Sequence, residues 1–377
     1  MAAKANRKAN GKAKKNGALR VLVVGVGNMG ASHARAYDKI DGFELAGLCA
    51  RRIAKRTDLP ARWSNVPRFA DYGEALETLK PDVVSINTWP DTHADYAIRA
   101  FKTGAHVFME KPIAETVKDA KRVVAAARDA DKKLAIGYIL RVHPSWVRFV
   151  ELAKGLGKPL VMRMNLNQQS IGDAWTWHKN LMKSLPPIVD CGVHYVDVMC
   201  QMTGAKPVRV HGIGAHLTKE VKTYNYGHLH VEFDDGSVGW YEAGWGPMMS
   251  EIAFFVKDVV GPKGCASIVM AEQGKGAGEG ASDTASADID THTKTNAIRL
   301  HHSKLNKDNS LAKADELFRM DDEPSHDELC EREQLVLLNA IRRNVDLSDH
   351  MEDAVNSLRI VLAADESVRK KKVVTLR

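Results

Sequence analysis

Short apolar runs alternate with longer segments of helical periodicity over residues 19–140. The run 20–24 (RVLVV) is rich in β-branched residues, which is typical of a strand buried on both faces. Further runs of this kind lie at 43–49, 83–87, 106–110 and 134–138. Helical segments separate them; one has Asp71 as a potential cap, and another is followed by Gly104 at the C-terminal cap. This alternation predicts an α/β fold with a doubly wound parallel sheet.

The pattern changes after residue 140, where longer strands follow one another with few helices between them. Predicted strands lie at 160–167, 208–215, 226–233, 238–245 and 252–257. Asp234-Asp235-Gly236-Ser237 has the composition of a hairpin turn between two of them. Helices are expected near 188–201 and 349–369, and the polar stretch 271–313 reads as a mobile insertion. We therefore expect a second α+β domain with a large, mainly antiparallel open sheet.

The distribution of charge along the chain bears on whether the protein binds nucleic acid. The net charge of the 377 residues is +7, but residues 1–17 contain six basic residues and no acidic one, which leaves +1 for the rest. A nucleic-acid-binding protein would carry its basic excess on the folded surface. We interpret 1–17 as a disordered basic tail, 18–140 as one domain and 141–377 as a second. A nucleic-acid or organelle-targeting role for the tail stays open.

Membrane, metal and disulfide chemistry find little support in the sequence. No run of about 18 apolar residues is present, which argues against a membrane span. The five cysteines are scattered and form no CxxC pair, so we expect reduced thiols in the cytoplasm, with neither a zinc site nor a disulfide framework. His301 and His302 lack spaced partners, and no metal site is predicted.

A glycine-rich turn follows the first predicted strand and opens the first predicted helix. Gly25, Gly27 and Gly30 form a GxGxxG pattern in that strand–turn–helix context. Small residues there let the backbone approach a pyrophosphate, whose charge is met by free N–H groups at the helix start, around Asn28 and Met29. The pattern predicts a dinucleotide-binding turn.

The end of the second strand bears on which dinucleotide is bound. An acidic residue there would hold the ribose hydroxyls of NAD, but the sequence reads Ala50-Arg51-Arg52. Arginine can bind a ribose phosphate through a bidentate fork, whereas a carboxylate would repel it. We expect NADP(H) to be favoured, with NAD(H) as the alternative. On the other interpretation, Arg51 and Arg52 are solvated charges at a helix start.

Lys111 follows the predicted strand 106–110, at the carboxyl end where parallel sheets place their ligand crevice. Pro112 restricts the backbone of Lys111 to extended conformations. A fixed ammonium there would stabilise a developing alkoxide. The alternative is an ordinary surface lysine in a loop.

The segment 188–201 is apolar except for a stripe at helical spacing: Asp190, His194, Asp197 and Gln201. Burial of unpaired ionisable groups is costly, so the stripe faces solvent, partners or a site. We favour a site opposite Lys111, in which Asp190 orients the imidazole of His194 as the base. Asp197 is either structural or substrate-binding.

Other conspicuous polar and aromatic residues leave two interpretations open. Trp175 and His178 lie in a loop-like stretch, where they either contact substrate or pack in the core. Arg141 follows the predicted strand at 134–138 and either anchors substrate or links the domains. Cys191 lies in an apolar segment and is expected to be an inert, packed thiol.

Taken together, these motifs resemble the glucose-fructose oxidoreductase, inositol dehydrogenase and MocA family of NAD(P)-dependent oxidoreductases. The resemblance rests on four segments: Gly25–Gly30 followed by His33, Asn87-Thr88-Trp89-Pro90 with His93, Glu110-Lys111-Pro112, and Asp190-Cys191-Gly192-Val193-His194. It implies cofactor contacts from Thr88, Pro90, His93 and Glu110. It also implies that Lys111 reaches the substrate hydroxyl and that Asp190 and His194 complete the acid–base set.

The resulting expectation is an enzyme that transfers a hydride between a nicotinamide cofactor and a hydroxyl or keto carbon of a sugar, inositol or related polyol. Two alternatives stay open: a non-catalytic, cofactor-dependent sugar sensor, and a hydrolase or lyase that oxidises its substrate only transiently. The uncovered face of the second sheet, together with the resemblance, favours a homodimer or homotetramer.

Overall fold

The computed structural model describes residues 17–249, 256–269 and 295–376. Three predictions therefore lie partly or wholly outside the described residues. These are the basic tail apart from its last residue, most of the strand at 252–257, and residues 271–294 of the insertion. No helix in the described part of the chain combines the length and apolar character that a membrane span needs.

The first domain is built on a six-stranded parallel sheet, as predicted. Its strands are β1 (Leu19–Val24), β2 (Phe43–Cys49), β3 (Arg68–Phe69), β4 (Val83–Ile86), β5 (His106–Glu110) and β6 (Leu134–Gly137), in the order β3-β2-β1-β4-β5-β6. Helices α1 (Asn28–Lys39), α2 (Tyr72–Leu79), α3 (Pro90–Lys102) and α4 (Val117–Asp129) connect them. Every residue of β4 and β6 is buried, which explains why these strands are apolar apart from Ser85 of β4. The order reverses between β1 and β4, where open α/β sheets bind ligands.

Short polar side chains set the starts of the connecting helices. The Asp71 carboxylate accepts the backbone N–H of Glu74 at the start of α2, and the Thr116 hydroxyl accepts that of Asp119 at the start of α4. Gly104, just after α3, has a φ of +84°, a left-handed conformation that suits glycine. These local signals explain why the helix boundaries follow the sequence closely.

The second domain contains a nine-stranded sheet with helices on one side. Its strands are β7 (Val161–Gln169), β8 (Pro207–Ala215), β9 (Tyr226–Phe233), β10 (Val238–Gly246), β11 (Lys257–Gly261), β12 (Gly264–Val269), β13 (Ala297–His302), β14 (Glu316–Arg319) and β15 (Val374–Thr375). Their order is β14-β13-β12-β11-β7-β10-β9-β8-β15, and among these described strands β7 and β10 are parallel while the other neighbours are antiparallel. The hairpin between β9 and β10 is confirmed, with Gly236 at a φ of +82°.

The helices of this domain are α5 (Pro144–Gly155), α6 (Gly172–Leu181), α7 (Pro187–Asp190), α8 (Gly192–Thr203), α9 (His326–Arg342) and α10 (Ser348–Lys370). The helix predicted at 349–369 is thus confirmed as α10. The helix predicted at 188–201 divides into α7 and α8 at Cys191. A Cβ on Gly192 would lie 3.1 Å from Val361 of α10 and 3.3 Å from Tyr241 of β10, so this glycine permits close packing at the division.

Two predictions about irregular segments are wrong. The loop-like stretch around Trp175 is the helix α6. Within the insertion predicted at 271–313, residues 297–302 form β13, which pairs with β12 and β14. The insertion contains few apolar residues, but Ile298 of β13 is fully buried. Sheet pairing and this one buried side chain therefore order a segment whose composition is that of a loop.

Helix α9 was missed by the sequence analysis, although it completes the core of the first domain. Cys330, Leu337 and Leu338 pack in one cluster with residues of α1 and β1. The sequence does contain a signal for the start of this helix. Ser325 and Glu328 have the spacing of a capping box, and they form one at the start of α9. Helix α9, from the second half of the chain, thus packs on the first domain. The division at residue 140 therefore does not separate two independent hydrophobic cores.

Candidate active site

The glycine turn between β1 and α1 has the geometry of a ligand cradle. Gly25 has a φ of +81°, and a Cβ on it would lie 2.4 Å from the carbonyl oxygen of Asn87. A Cβ on Gly30 would lie 1.7 Å from the carbonyl oxygen of Gly25. A Cβ on Gly27, in contrast, would meet no atom of the described residues within 4 Å. Gly25 and Gly30 therefore form the tight turn, and Gly27 faces open space where a ligand can approach the backbone.

Helix α1 presents a free N-terminus at this turn. Its N-cap residue is Gly27, and no side chain in the described part of the chain caps its first turn. Asn28 and Met29 are the first two residues of the helix, and Asn28 is exposed. Free N–H groups and the positive end of the helix dipole bind phosphate oxygens. The turn therefore fits the pyrophosphate of a dinucleotide, which Gly25, Gly27, Asn28, Met29 and Gly30 would hold.

Arg51 and Arg52 lie just beyond β2, at the same edge of the sheet. Both side chains are exposed, and neither forms an ion pair with another described residue. Their guanidinium groups are therefore available to a ligand.

The loop after β4 is held by His93. Its ring lies between two backbone carbonyl oxygens, with Nδ1 2.7 Å from that of Pro112 and Nε2 3.0 Å from that of Thr88. The Thr88 and Thr92 hydroxyls form a hydrogen bond of 2.6 Å, and Pro90 begins α3. Burial lowers the pKa of His93, and a neutral ring donates to only one of these two carbonyl oxygens. The ring lies between the β4 and β5 loops and packs them together.

Lys111 and Asp190 meet across the two domains, as the sequence predicted. Lys111 Nζ lies 3.0 Å from Asp190 Oδ1 and donates to the Asp190 carbonyl oxygen at 3.1 Å. The side chains are only 17% and 8% exposed, respectively. Burial by itself lowers the pKa of Lys111, but the Asp190 carboxylate more than offsets it, so the pKa lies above its usual 10.5. The ammonium is therefore charged at neutral pH.

His194, in the first turn of α8, lies close to this pair. Burial and, to a smaller extent, the Lys111 ammonium lower its pKa to about 3 against an opposing effect of Glu110, so the ring is neutral. Its Nδ1 is buried and has no hydrogen-bond partner among the described residues. The expected hydrogen bond from the His194 ring to the Asp190 carboxylate is therefore absent from the described structure. The carboxylate pairs instead with the ammonium, a stronger partner than a neutral imidazole.

Glu110, at the end of β5, is paired with a histidine of α1. Its Oε1 lies 2.7 Å from Nε2 of His33 on α1. Burial raises the pKa of Glu110, but the hydrogen bond from His33 and the charge of Lys111 bring it below its usual value. His33 also forms, with Cys330 and Glu333 of α9, a buried group of possible metal ligands within 4.8 Å of one another. The sequence analysis predicted no metal site because α9 had not been recognised.

Arg141 belongs to a network of ion pairs and hydrogen bonds within the second domain. It donates to Asp197 Oδ2 at 2.8 Å and to Asp353 Oδ2 of α10 at 2.7 Å. Gln201 Nε2 also donates to Asp197, at 2.9 Å. The predicted polar stripe therefore divides: Asp190 and His194 face the site, whereas Asp197 and Gln201 serve this network. These contacts tie Arg141, the residue after the first domain, to α8 and α10 of the second domain, so its guanidinium group is engaged by protein carboxylates.

Trp175 and His178 are buried in packing contacts. His178 stacks on Trp245 with ring centroids 4.3 Å apart, and a 2.6 Å hydrogen bond joins its Nδ1 to the Ser170 hydroxyl. Burial lowers the pKa of His178 to about 4. Trp175 Nε1 donates to the Glu220 carboxylate at 3.3 Å. These contacts favour the core interpretation for both residues.

An aromatic pair that the sequence analysis did not assign bridges the two domains. Trp89, beside Pro90, and Trp177, on α6, stack with ring centroids 6.2 Å apart. They are 40% and 49% exposed, which is high for side chains of this size. Trp89 adjoins the loop that His93 holds, and Trp177 adjoins His178. The pair therefore forms an exposed aromatic contact between the loop after β4 and helix α6.

Three similarities to known proteins agree with this geometry. Residues 19–138 match the GFO/IDH/MocA model described as an oxidoreductase family with an NAD-binding Rossmann fold, and residues 152–265 match the GFO/IDH/MocA C-terminal domain. The chain is 29% identical to UDP-N-acetylglucosamine 3-dehydrogenase of Acidithiobacillus ferrooxidans over 196 residues, 52% of this chain and 58% of that protein. It is 24% identical to D-glucoside 3-dehydrogenase of Escherichia coli over 274 residues, 67% of this chain and 78% of that protein.

The fold similarity extends over nearly the whole chain. The WlbA dehydrogenase of Bordetella pertussis, solved with NADH and UDP-GlcNAcA, has a TM-score of 0.70 at 18% identity, covering 96% of this chain and 98% of that one. The Rossmann sheet, the open glycine turn and the lysine held by the second domain define a two-domain, dinucleotide-binding oxidoreductase. The two family matches, over residues 19–138 and 152–265, span more than half of the chain, which belongs to the GFO/IDH/MocA oxidoreductase family.

Proposed function

We propose that the protein transfers a hydride between a nicotinamide dinucleotide and a hydroxyl- or keto-bearing carbon of a sugar, inositol or related polyol. The observation that carries this proposal is the contact between Lys111 Nζ and Asp190 Oδ1, at 3.0 Å, which joins the two domains at the carboxyl edge of the parallel sheet. The names of the relatives, one acting on a UDP-sugar and another on a D-glucoside, support the substrate class.

The roles of the residues follow from their charges. The Lys111 ammonium stabilises the substrate oxygen as it acquires alkoxide character. The neutral ring of His194 is the proton acceptor for the substrate hydroxyl. With a pKa of about 3 it is a weak base, so proton transfer depends on the stabilisation that Lys111 gives to the alkoxide. Asp190 holds the ammonium in place, and a bound nicotinamide ring would accept or supply the hydride.

The cofactor proposed is NADP(H), with NAD(H) as the alternative. Arg51 and Arg52 support this preference, because both are exposed beyond β2 and unpaired among the described residues. A ribose phosphate there would gain charge-assisted hydrogen bonds. Glu110, Thr88 and His93 contribute by shaping the adjoining loops.

A homodimer or homotetramer is part of the proposal. Val161, Val238 and Val260 lie side by side on neighbouring strands, and all three are exposed on the sheet face opposite the helices. Apolar side chains grouped on an open sheet face are typical of a surface that a partner covers. The five free cysteines support a reducing compartment, for which we propose the cytoplasm.

The test is a panel of sugars, inositols, sugar acids and UDP-sugars incubated with NAD⁺ and with NADP⁺, monitored by nicotinamide absorbance. Net reduction of one cofactor by one substrate class is expected. Binding of both ligands without any redox change would support the sensor alternative. Substrate conversion with no net cofactor change would support a hydrolase or lyase that uses transient oxidation.

A further inference from the structure

A buried chain of hydrogen bonds runs from helix α9 to Glu110. The Tyr37 hydroxyl donates to Gln334 Oε1 at 2.5 Å, and Gln334 Nε2 lies 3.0 Å from His33 Nδ1. His33 Nε2 lies 2.7 Å from Glu110 Oε1. All four side chains are buried. Gln334 and His33 are 301 residues apart in the sequence, so this contact exists only because α9 docks on α1.

The donors and acceptors in this series of hydrogen bonds allow one arrangement of the protons. The hydroxyl of Tyr37 occupies the amide oxygen of Gln334, so the amide nitrogen faces His33 and can only donate. Nδ1 of His33 must therefore be the acceptor, which places the ring proton on Nε2. From there it is donated to the Glu110 carboxylate, which can only accept. Gln334 thus selects the neutral His33 tautomer that hydrogen-bonds to an ionised Glu110.

We propose that Gln334 is a positioning residue that fixes His33 as a hydrogen-bond donor to Glu110 and so maintains a negative charge beside Lys111. The proposal rests on the function proposed for Lys111. Glu110 and Lys111 are consecutive residues at the end of β5, and a carboxylate held there stabilises the neighbouring ammonium. Helix α9 would then contribute to the reactive site without touching substrate.

The same cluster could be interpreted as a metal site, because Cys330 and Glu333 lie near His33. A metal ion needs an imidazole nitrogen with a free lone pair. In the described structure, Nε2 of His33 is engaged by Glu110 and Nδ1 by Gln334. The hydrogen bonds therefore favour the positioning role, and metal content becomes part of the test.

The first experiment is independent of activity and uses the full-length protein. Long-range ¹H–¹⁵N spectra report the tautomer of each histidine, and the His33→Gln variant assigns the His33 signals. The wild type is expected to show the Nε2–H tautomer of His33, and Gln334→Glu, whose carboxylate can only accept, is expected to add a proton at Nδ1. An Nδ1–H tautomer or an imidazolium in the wild type would overturn the proposal. So would stoichiometric zinc that is lost in Cys330→Ser.

The second experiment measures the pH profile of kcat in Gln334→Leu and in Tyr37→Phe, a milder change that leaves the amide in place. Loss of the fixed Glu110 carboxylate should move the basic limb of the profile to lower pH, because Glu110 is one of the groups that raise the pKa of Lys111. The shift should be about 0.3 pH units for Gln334→Leu and less for Tyr37→Phe. His33→Gln, whose amide N–H can still donate to Glu110, should retain more activity than His33→Leu. If the variants have lower melting temperatures but the basic limb of their kcat profiles stays at the wild-type pH, Gln334 has only a structural role and the proposal is overturned.

The two proposals fail in different ways. If no sugar or polyol reduces either cofactor, the proposed function fails, and the His33 tautomer still decides whether Gln334 selects it. If the enzyme is active but its profile is unmoved in these variants, the positioning role fails alone.

Discussion

Replacing Lys111 with methionine removes one ammonium and keeps most of the side-chain volume. In the wild type this ammonium lies 3.0 Å from Asp190 Oδ1, with both side chains largely buried. The variant therefore leaves the Asp190 carboxylate without its cation in a site that water reaches poorly. Two effects are expected from the one substitution: lower stability and lower turnover.

The expected magnitudes differ for the two effects. Removing one partner of a buried ion pair lowers the free energy of unfolding by about 3–5 kcal/mol. Because Lys111 is partly exposed, the loss for Lys111→Met should lie at or below the lower end of this range. Loss of an electrostatic or acid–base group in the reacting site lowers kcat by about 10²- to 10⁴-fold. Adding Asp190→Asn removes the orphaned carboxylate, so the double variant should recover stability without recovering turnover.

Urea denaturation measures the free energy of unfolding, and steady-state kinetics measure kcat at saturating substrate. Lys370→Met is the matched control, because Lys370 pairs with Glu366 on the exposed face of α10, far from the site. The control should leave kcat unchanged and stability nearly so. A Lys111→Met enzyme whose kcat lies within about threefold of the wild type would refute the reasoning.

Four further predictions test other parts of the site. Gly27→Ala adds a Cβ that meets no described atom within 4 Å, so the melting temperature of the variant should be unchanged. Its dinucleotide affinity, measured by calorimetry, should fall at least about tenfold, and unchanged affinity would contradict binding of the pyrophosphate at the glycine turn. Arg51→Ser with Arg52→Ser should shift the ratio of kcat/KM values toward NAD(H) by about tenfold, and an unaltered ratio would remove both residues from cofactor selection. Trp177→Ala should raise the substrate KM about tenfold with kcat little changed, because an aromatic face is lost at the cleft. A loss confined to kcat would contradict contact between Trp177 and the substrate. His194 has a pKa of about 3 in the folded protein against 6.5 unfolded, so the unfolded chain takes up the proton first and stability should fall as the pH drops from 6.5 toward 3, by about 1.4 kcal/mol per pH unit for this residue. His194→Gln should reduce that slope in acid denaturation, and an identical slope would contradict the assignment.

Features determined by local chemistry could be predicted from the sequence. The glycine turn is specified by steric limits within a few residues, since Gly25 and Gly30 leave no room for a Cβ. The capping side chains of Asp71 and Thr116 determine where helices begin. Lys111 follows from the rule that ligand sites lie at the carboxyl ends of parallel strands. The fold class and the position of Lys111 at the end of a parallel strand therefore need no knowledge of distant contacts.

Features that depend on distant packing could not be predicted. The pairing of Asp190 with Lys111 rather than His194 is decided by which side chain the other domain brings near. The role of Arg141 depended on Asp353, a residue 212 positions away. The stacking of Trp89 on Trp177 joins two domains and leaves no periodic trace in the sequence.

Helix α9 illustrates a third situation, in which the local signal was present but its function was not readable. The capping box at Ser325 and Glu328 marks the helix start. Nothing in that motif indicates that Gln334, two turns later, contacts His33 of the first domain. Long-range hydrogen bonds of this kind require the coordinates.

The central claim is that the Lys111–Asp190 contact marks a site of hydride transfer. The most direct test uses an active sugar or polyol from the panel, deuterated at the carbon that is oxidised, and follows the label by mass spectrometry. The account predicts one deuterium in the reduced nicotinamide for each substrate oxidised, and loss of this transfer in Lys111→Met. Deuterium that is retained in the product or released to solvent, with no label in the nicotinamide, would contradict it.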